Sequence, residues 1–105
     1  MIYKFTNIKI YYKWRWKGKG EYMPEISRFY GIIIKMFFKP KEHEPSHIHA
    51  LYGEHIGIFD LRTMSMTEGD LPKKAQELVK EWMSQNQTAL LEMWENQKIG
   101  KLPPL

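Results

Sequence analysis

The run HIHALYGEHIGIFD, residues His47 to Asp60, decides the fold. Two alternating stretches flank Gly53-Glu54, and glycine supplies the positive φ of a tight turn, so the segment reads as an antiparallel hairpin of His47 to Tyr52 against His55 to Leu61. Successive strand residues point to opposite faces. Ile48, Ala50, Tyr52, Gly57 and Phe59 then share one face with His55, while His47, His49, Leu51, Ile56, Ile58 and Asp60 share the other. The first set is expected to be the buried one, because the second would sink two histidines and an aspartate. His47, His49 and Asp60 are thus expected together on the open side of the sheet.

Working upstream, KPKEHEPS at Lys39 to Ser46 has two prolines among polar residues and reads as a loop. YGIIIKMFF at Tyr30 to Phe38 is apolar on both faces apart from Lys35, rich in β-branched and aromatic residues, and of strand length. It is expected to be a central strand. Downstream, TMSMT at Thr63 to Thr67 suits an edge strand closed by Glu68-Gly69-Asp70. From Pro72 to Ser84, the residues Ala75, Leu78, Val79, Trp82 and Met83 form the stripe of an amphipathic helix, with Asp70 or Leu71 at its cap and Pro72 in its first turn. Leu90, Leu91 and Trp94 repeat the pattern over about Asn86 to Gln97, and Gly100, Pro103 and Pro104 stop it. The expected fold is α+β: a small, mostly antiparallel sheet of three to four strands, packed on one face by a C-terminal two-helix hairpin.

With 105 residues there is room for one core, and 43% hydrophobic residues suffice to build it without a staple. Cysteine is absent, which excludes disulfides, thiolate nucleophiles and cysteine zinc sites and is compatible with a reducing compartment. No apolar run approaches the roughly 18 residues of a membrane span, and the N-terminus lacks a secretory apolar stretch. A cytoplasmic location is expected. Walker, Rossmann, nucleophile-elbow and zincin patterns are all missing.

The net charge of +4 suggests nucleic acid until it is divided. Residues 1–22 hold Lys4, Lys9, Lys13, Arg15, Lys17 and Lys19 against Glu21, whereas residues 23–105 hold ten basic and eleven acidic side chains. The body is not basic. Ile8, Ile10, Tyr12, Trp14 and Trp16 alternate with Lys9, Lys13 and Arg15, which is a strand pattern or a stacking surface for single-stranded nucleic acid. A third reading fits the codons: Lys17 to Met23 back-translates as AAA GGA AAA GGA GAA TAT ATG, a purine-rich AAGGAG ribosome-binding sequence ahead of a methionine codon. Met23 is accordingly expected to be the native start, with residues 1–22 an extension outside a single domain of residues 23–105.

Three motifs in order, MPEISRF at Met23 to Phe29, HIHA at His47 to Ala50 followed by Tyr52-Gly53-Glu54, and EGDLP at Glu68 to Pro72, resemble a bacterial family of short proteins known as domain of unknown function 4160. The resemblance covers about Met23 to Gly100 and implies a start at Met23. It also implies a neighbour-encoded small protein partner, in an arrangement like a toxin-antitoxin pair. Leu51, Ile56 and Ile58 place more apolar surface on the open face than the family pattern does, which fits a partner covering it.

His47-x-His49 is the chemical candidate, since period-two spacing sets both imidazoles on one face about 7 Å apart. Such a pair can chelate a metal if His43, Asp60, Glu44 or Glu42 adds ligands, but no recognised metal spacing is present and no metal or cofactor is expected. The pair can equally act as general acid and base on a phosphodiester, with Asp60 orienting one ring and Lys35 or Arg28 countering transition-state charge. Strand histidines bonded to Asp60 or backbone are the plain alternative. Tyr52 and His55 read as a hairpin-stabilising pair, Met36, Met64 and Met66 as packing, and Lys73-Lys74 as a solvated helix face.

Two functions follow. The first is a non-enzymatic interaction module with a small protein partner, contacting it through Leu51, Ile56, Ile58, Lys35 and Arg28. The second is a metal-independent ribonuclease toxin built on His47, His49 and Asp60. Direct nucleic-acid binding ranks third, because it leans on residues 1–22.

Overall fold

In the computed structural model, which describes residues 24–37 and 45–105, five strands precede one helix: β1 Glu25–Phe29, β2 Ile32–Lys35, β3 His47–Tyr52, β4 His55–Asp60, β5 Met66–Gly69 and α1 Lys73–Asn96. The strands pair antiparallel in sequence order, as a meander with α1 across one face. Expectations for residues 1–22 and for most of the 39–46 loop lie outside the described residues.

The hairpin of β3 and β4 pairs as its alternation requires: His47 opposite Asp60, His49 opposite Ile58, Leu51 opposite Ile56, and Tyr52 opposite His55. Both faces therefore carry the expected sets. Ala50 lies opposite Gly57, a small pair where a Cβ on Gly57 would meet the Met66 sulfur and the Phe59 ring at 3.0 Å. The absence of a side chain there lets Met66 of β5 and Leu71, ahead of α1, close over the sheet.

Three expectations are corrected. Within the run Tyr30 to Phe38 the strand is shorter than expected, Ile32–Lys35, though it does lie inside the sheet between two neighbours, and among the described residues the sheet has five strands rather than three or four. Tyr30 and Gly31 both adopt positive φ, +49° and +81°, the signature of a two-residue hairpin turn whose twist matches its flanking strands. The chain before this turn thereby becomes β1, with Arg28 opposite Ile33 and Phe29 opposite Ile32.

The edge strand begins at Met66, later than Thr63. Asp60 Oδ1 accepts from the Arg62 and Thr63 amides at 2.7 and 3.1 Å, the Met64 amide returns to the Asp60 carbonyl, and Met64 sits at φ +60°. That side-chain turn uses up the residues expected to be strand. Glu68 and Gly69 instead belong to β5.

The two expected helices are one, unbroken through Ser84 to Thr88. No glycine or proline interrupts the stretch, and its polar side chains turn to carbonyls instead of competing for the helix amides. Ser84 Oγ donates to the Glu81 carbonyl, and Asn86 Nδ2 to that of Trp82. Gln87 Nε2 donates to the Leu61 and Arg62 carbonyls at 2.8 and 3.2 Å, tying mid-helix to the turn after β4. Pro72 occupies the N-cap with no side-chain cap, while Asp70 Oδ1 accepts from the Ile56 amide. At the other end Gln97 takes the left-handed conformation and returns its amide to Met93.

Val79, Trp82, Leu90 and Trp94 of α1 pack on Ile34, Ile48 and Phe59, all with no exposed surface. The Trp82 ring lies 5.6 Å from that of Phe29. Among the described residues no helix is long and apolar enough to cross a membrane.

Candidate functional site

The face of the sheet turned from α1 carries the residues singled out for chemistry. His49 on β3 stands between Lys35 on β2 and Ile58 on β4, and Leu51 stands between Ile33 and Ile56. The imidazoles of His47 and His49 lie 5.2 Å apart between centroids, tilted by 58°.

That side is not open, contrary to expectation. His49 is 4% exposed, Lys35 3% and Ile56 4%, with Phe37 fully buried. Phe37 follows Lys35 by two residues, so period-two geometry directs it to the same face, and its ring lies 4.6 Å from His49. His47, half-buried, reaches the helical layer: its ring is 5.1 Å from Trp94 near the end of α1. The His47 Nδ1 is 2.8 Å from the Pro45 carbonyl, which suits the tautomer with the proton on Nδ1.

Asp60 lies opposite His47 in register, yet its carboxylate caps the turn to Arg62 and Thr63 and orients no imidazole. Arg28, on the exposed side of β1, forms a two-point pair with Glu25: Nε to Oε2 at 3.1 Å and Nη2 to Oε1 at 2.8 Å. The Arg28 hydrogen bond holds the Glu25 carboxyl below its ordinary range, and the same bond raises the guanidinium. Lys35 is the cation beside His49. Burial lowers its pKa to about 8, against the attraction of Glu25, its neighbour across β1.

Chemically, the face brings together two imidazoles and one readily deprotonated amine, but encloses the central imidazole. A substrate phosphodiester has to reach His49 for acid–base work, and the burial of that ring opposes the approach. No group of three or more metal-ligating side chains forms among the described residues; His43, Glu42 and Glu44 lie outside them. Leu51 and Ile58, partly buried, surround Ile56 and Phe37 in an apolar cluster separate from the one under α1.

One feature was missed in the sequence. Tyr30, at 68% exposure, and Tyr52 flank a shallow groove of about 70 Å³ over Ile32 and Leu78, with Lys74 on its wall. The signal was present in Tyr30-Gly31, a turn dipeptide hidden inside an apolar run. On the other side of Tyr52 stands His55, whose Nδ1 is 3.4 Å from Asp70 Oδ2.

The sequence profile of one protein family, described as Domain of unknown function (DUF4160), matches residues 31–95. The match takes in β2 to β5 and nearly all of α1, leaving β1 and the segment after the helix outside it. No curated protein and no solved structure matches the chain.

Proposed function

The chain belongs to the DUF4160 family, a domain of unknown function, and from that premise we propose that it is a protein-interaction module rather than a catalyst, acting with a small protein partner in the manner of a toxin-antitoxin-like pair. The observation that carries this reading is the partly exposed apolar set Leu51 and Ile58, packed against the buried Phe37 and Ile56 on the face away from α1, with Ile33 beside Leu51. An antiparallel sheet covered by helix on one face ordinarily keeps its other face polar. Apolar side chains at Ile33, Leu51 and Ile58 favour further protein over water. A reducing cytoplasm suits a chain with no cysteine.

Co-expression of the tagged chain with the product of the adjacent gene tests it. Stoichiometric co-purification is expected, lost on Leu51→Glu with Ile58→Glu while the circular dichroism of the fold persists. Recovery of the chain alone and monomeric from native extracts ends the proposal.

The second reading, a ribonuclease, is supported by the 5.2 Å approach of the two imidazoles with Lys35 alongside. It expects growth arrest and RNA cleavage on expression, abolished by His49→Ala without unfolding. Intact RNA and normal growth at high expression remove it.

A further inference from the structure

At the outer edge of β1, an unpaired strand side is a template on which another chain can add. Among the described residues β1 pairs only with β2, yet its edge is not bare. Beyond α1 the chain turns back along it, and the Leu102 amide donates to the Ile26 carbonyl at 2.9 Å. One residue on, the Pro103 carbonyl accepts the Trp82 indole N–H at 2.8 Å, from the same tryptophan that packs on Phe29 of β1. Ile99, Leu102 and Leu105 pack, partly buried, against the main core.

We infer that Gly100 to Leu105 is a built-in stop on the β1 edge, occupying the place of a sixth strand and closing the sheet to pairing with the β1 of a second copy. The backbone chemistry supports a stop over a strand. In extended chain, alternate residues direct both backbone groups to one side, so with Leu102 turned to β1 the groups of Lys101 and Pro103 face away. Pro103 has no N–H, and its carbonyl is engaged by the indole. Pro104 also lacks a donor. A further strand arriving on the outside finds no donor at either proline, and it meets the exposed Lys101, whose charge acts on Glu25 of β1. Lysine and proline on an edge are the features that keep sheets from joining. The inference is independent of the apolar cluster proposed to meet a partner, whose strand residues Leu51, Ile56 and Ile58 lie on β3 and β4.

The test uses the full chain, which has no cysteine. Arg28→Cys, at the exposed position of β1, reports β1-to-β1 contact between copies by disulfide cross-linking, and trypsin cleavage after Lys98, which precedes Ile99 in every variant, reports release of the tail. In an Arg28→Cys background, Leu102→Pro with Trp82→Phe removes both donors that hold the tail. Cleavage about tenfold faster is expected from the loss of those hydrogen bonds, together with cross-linked dimer that the Arg28→Cys chain alone does not form. Leu102→Pro by itself, which leaves the core tryptophan untouched, is expected to give the same changes to a smaller degree. A released tail without cross-linking overturns the inference, as does a tail whose cleavage rate does not change in either variant.

Discussion

The two faces of the sheet are written in the same alternating code and end in different physical states. Under α1, Ile34, Ile48, Ala50 and Phe59 are apolar without exception and fully buried. On the far side Lys35 and His49 are enclosed almost as completely, among apolar residues of which Phe37 and Ile56 are buried and Leu51 and Ile58 only partly covered. The first face gains its stability from area removed from water. The second mixes that gain with the cost of holding an ammonium out of solvent. Equal burial thus has unequal energetic meaning, and the mixed face is where stability has been given up to place particular side chains.

Truncating isoleucine on each face sharpens the contrast most. Ile48→Ala, which opens a cavity in the fully packed layer, is expected to cost about 3–4 kcal/mol in urea denaturation. Ile58→Ala, half-buried on the far face, is expected to cost about 1 kcal/mol. Equal losses break the distinction between the faces.

Lys35 gives the next effect, through pH. Its folded pKa, about 8, lies below the ordinary lysine value of 10.5, so between those limits the unfolded chain binds more protons and folding stability rises with pH. The penalty is fully present below pH 8 and gone above about 10.5, with a rise of roughly 1–3 kcal/mol across the window. Lys35→Met is expected to flatten this part of the profile and to leave the protein at least as stable at pH 7. A profile unchanged by that substitution shows that the ammonium is solvated.

Arg28→Ala sets the lower end of the scale. Its pair with Glu25 is held at the surface, with 60% of the arginine side chain exposed, and such pairs contribute little to folding. No measurable shift of the unfolding midpoint is expected, and a clear loss would mean that β1 is held by its charges more than by Ile26 and Phe29.

Which residues share a face was legible in the chain alone, because period-two alternation is a local property of strand backbone. His47 with Asp60, His49 with Ile58 and Leu51 with Ile56 needed only the Gly53-Glu54 turn to be recognised. The stripe from Ala75 to Met83 likewise declared its own helix. What alternation does not encode is what comes to lie above a face. The burial of His49 beside Phe37, the contact of His47 with Trp94, the diversion of the Asp60 carboxylate into a turn and the joining of α1 through Gln87 all depend on groups that compete for the same partners in space. Hydrogen bonds and burial are settled by whichever arrangement satisfies the most groups at once, so the tertiary structure alone decided that the histidine face is a covered one and that the chain after the helix seals the β1 edge.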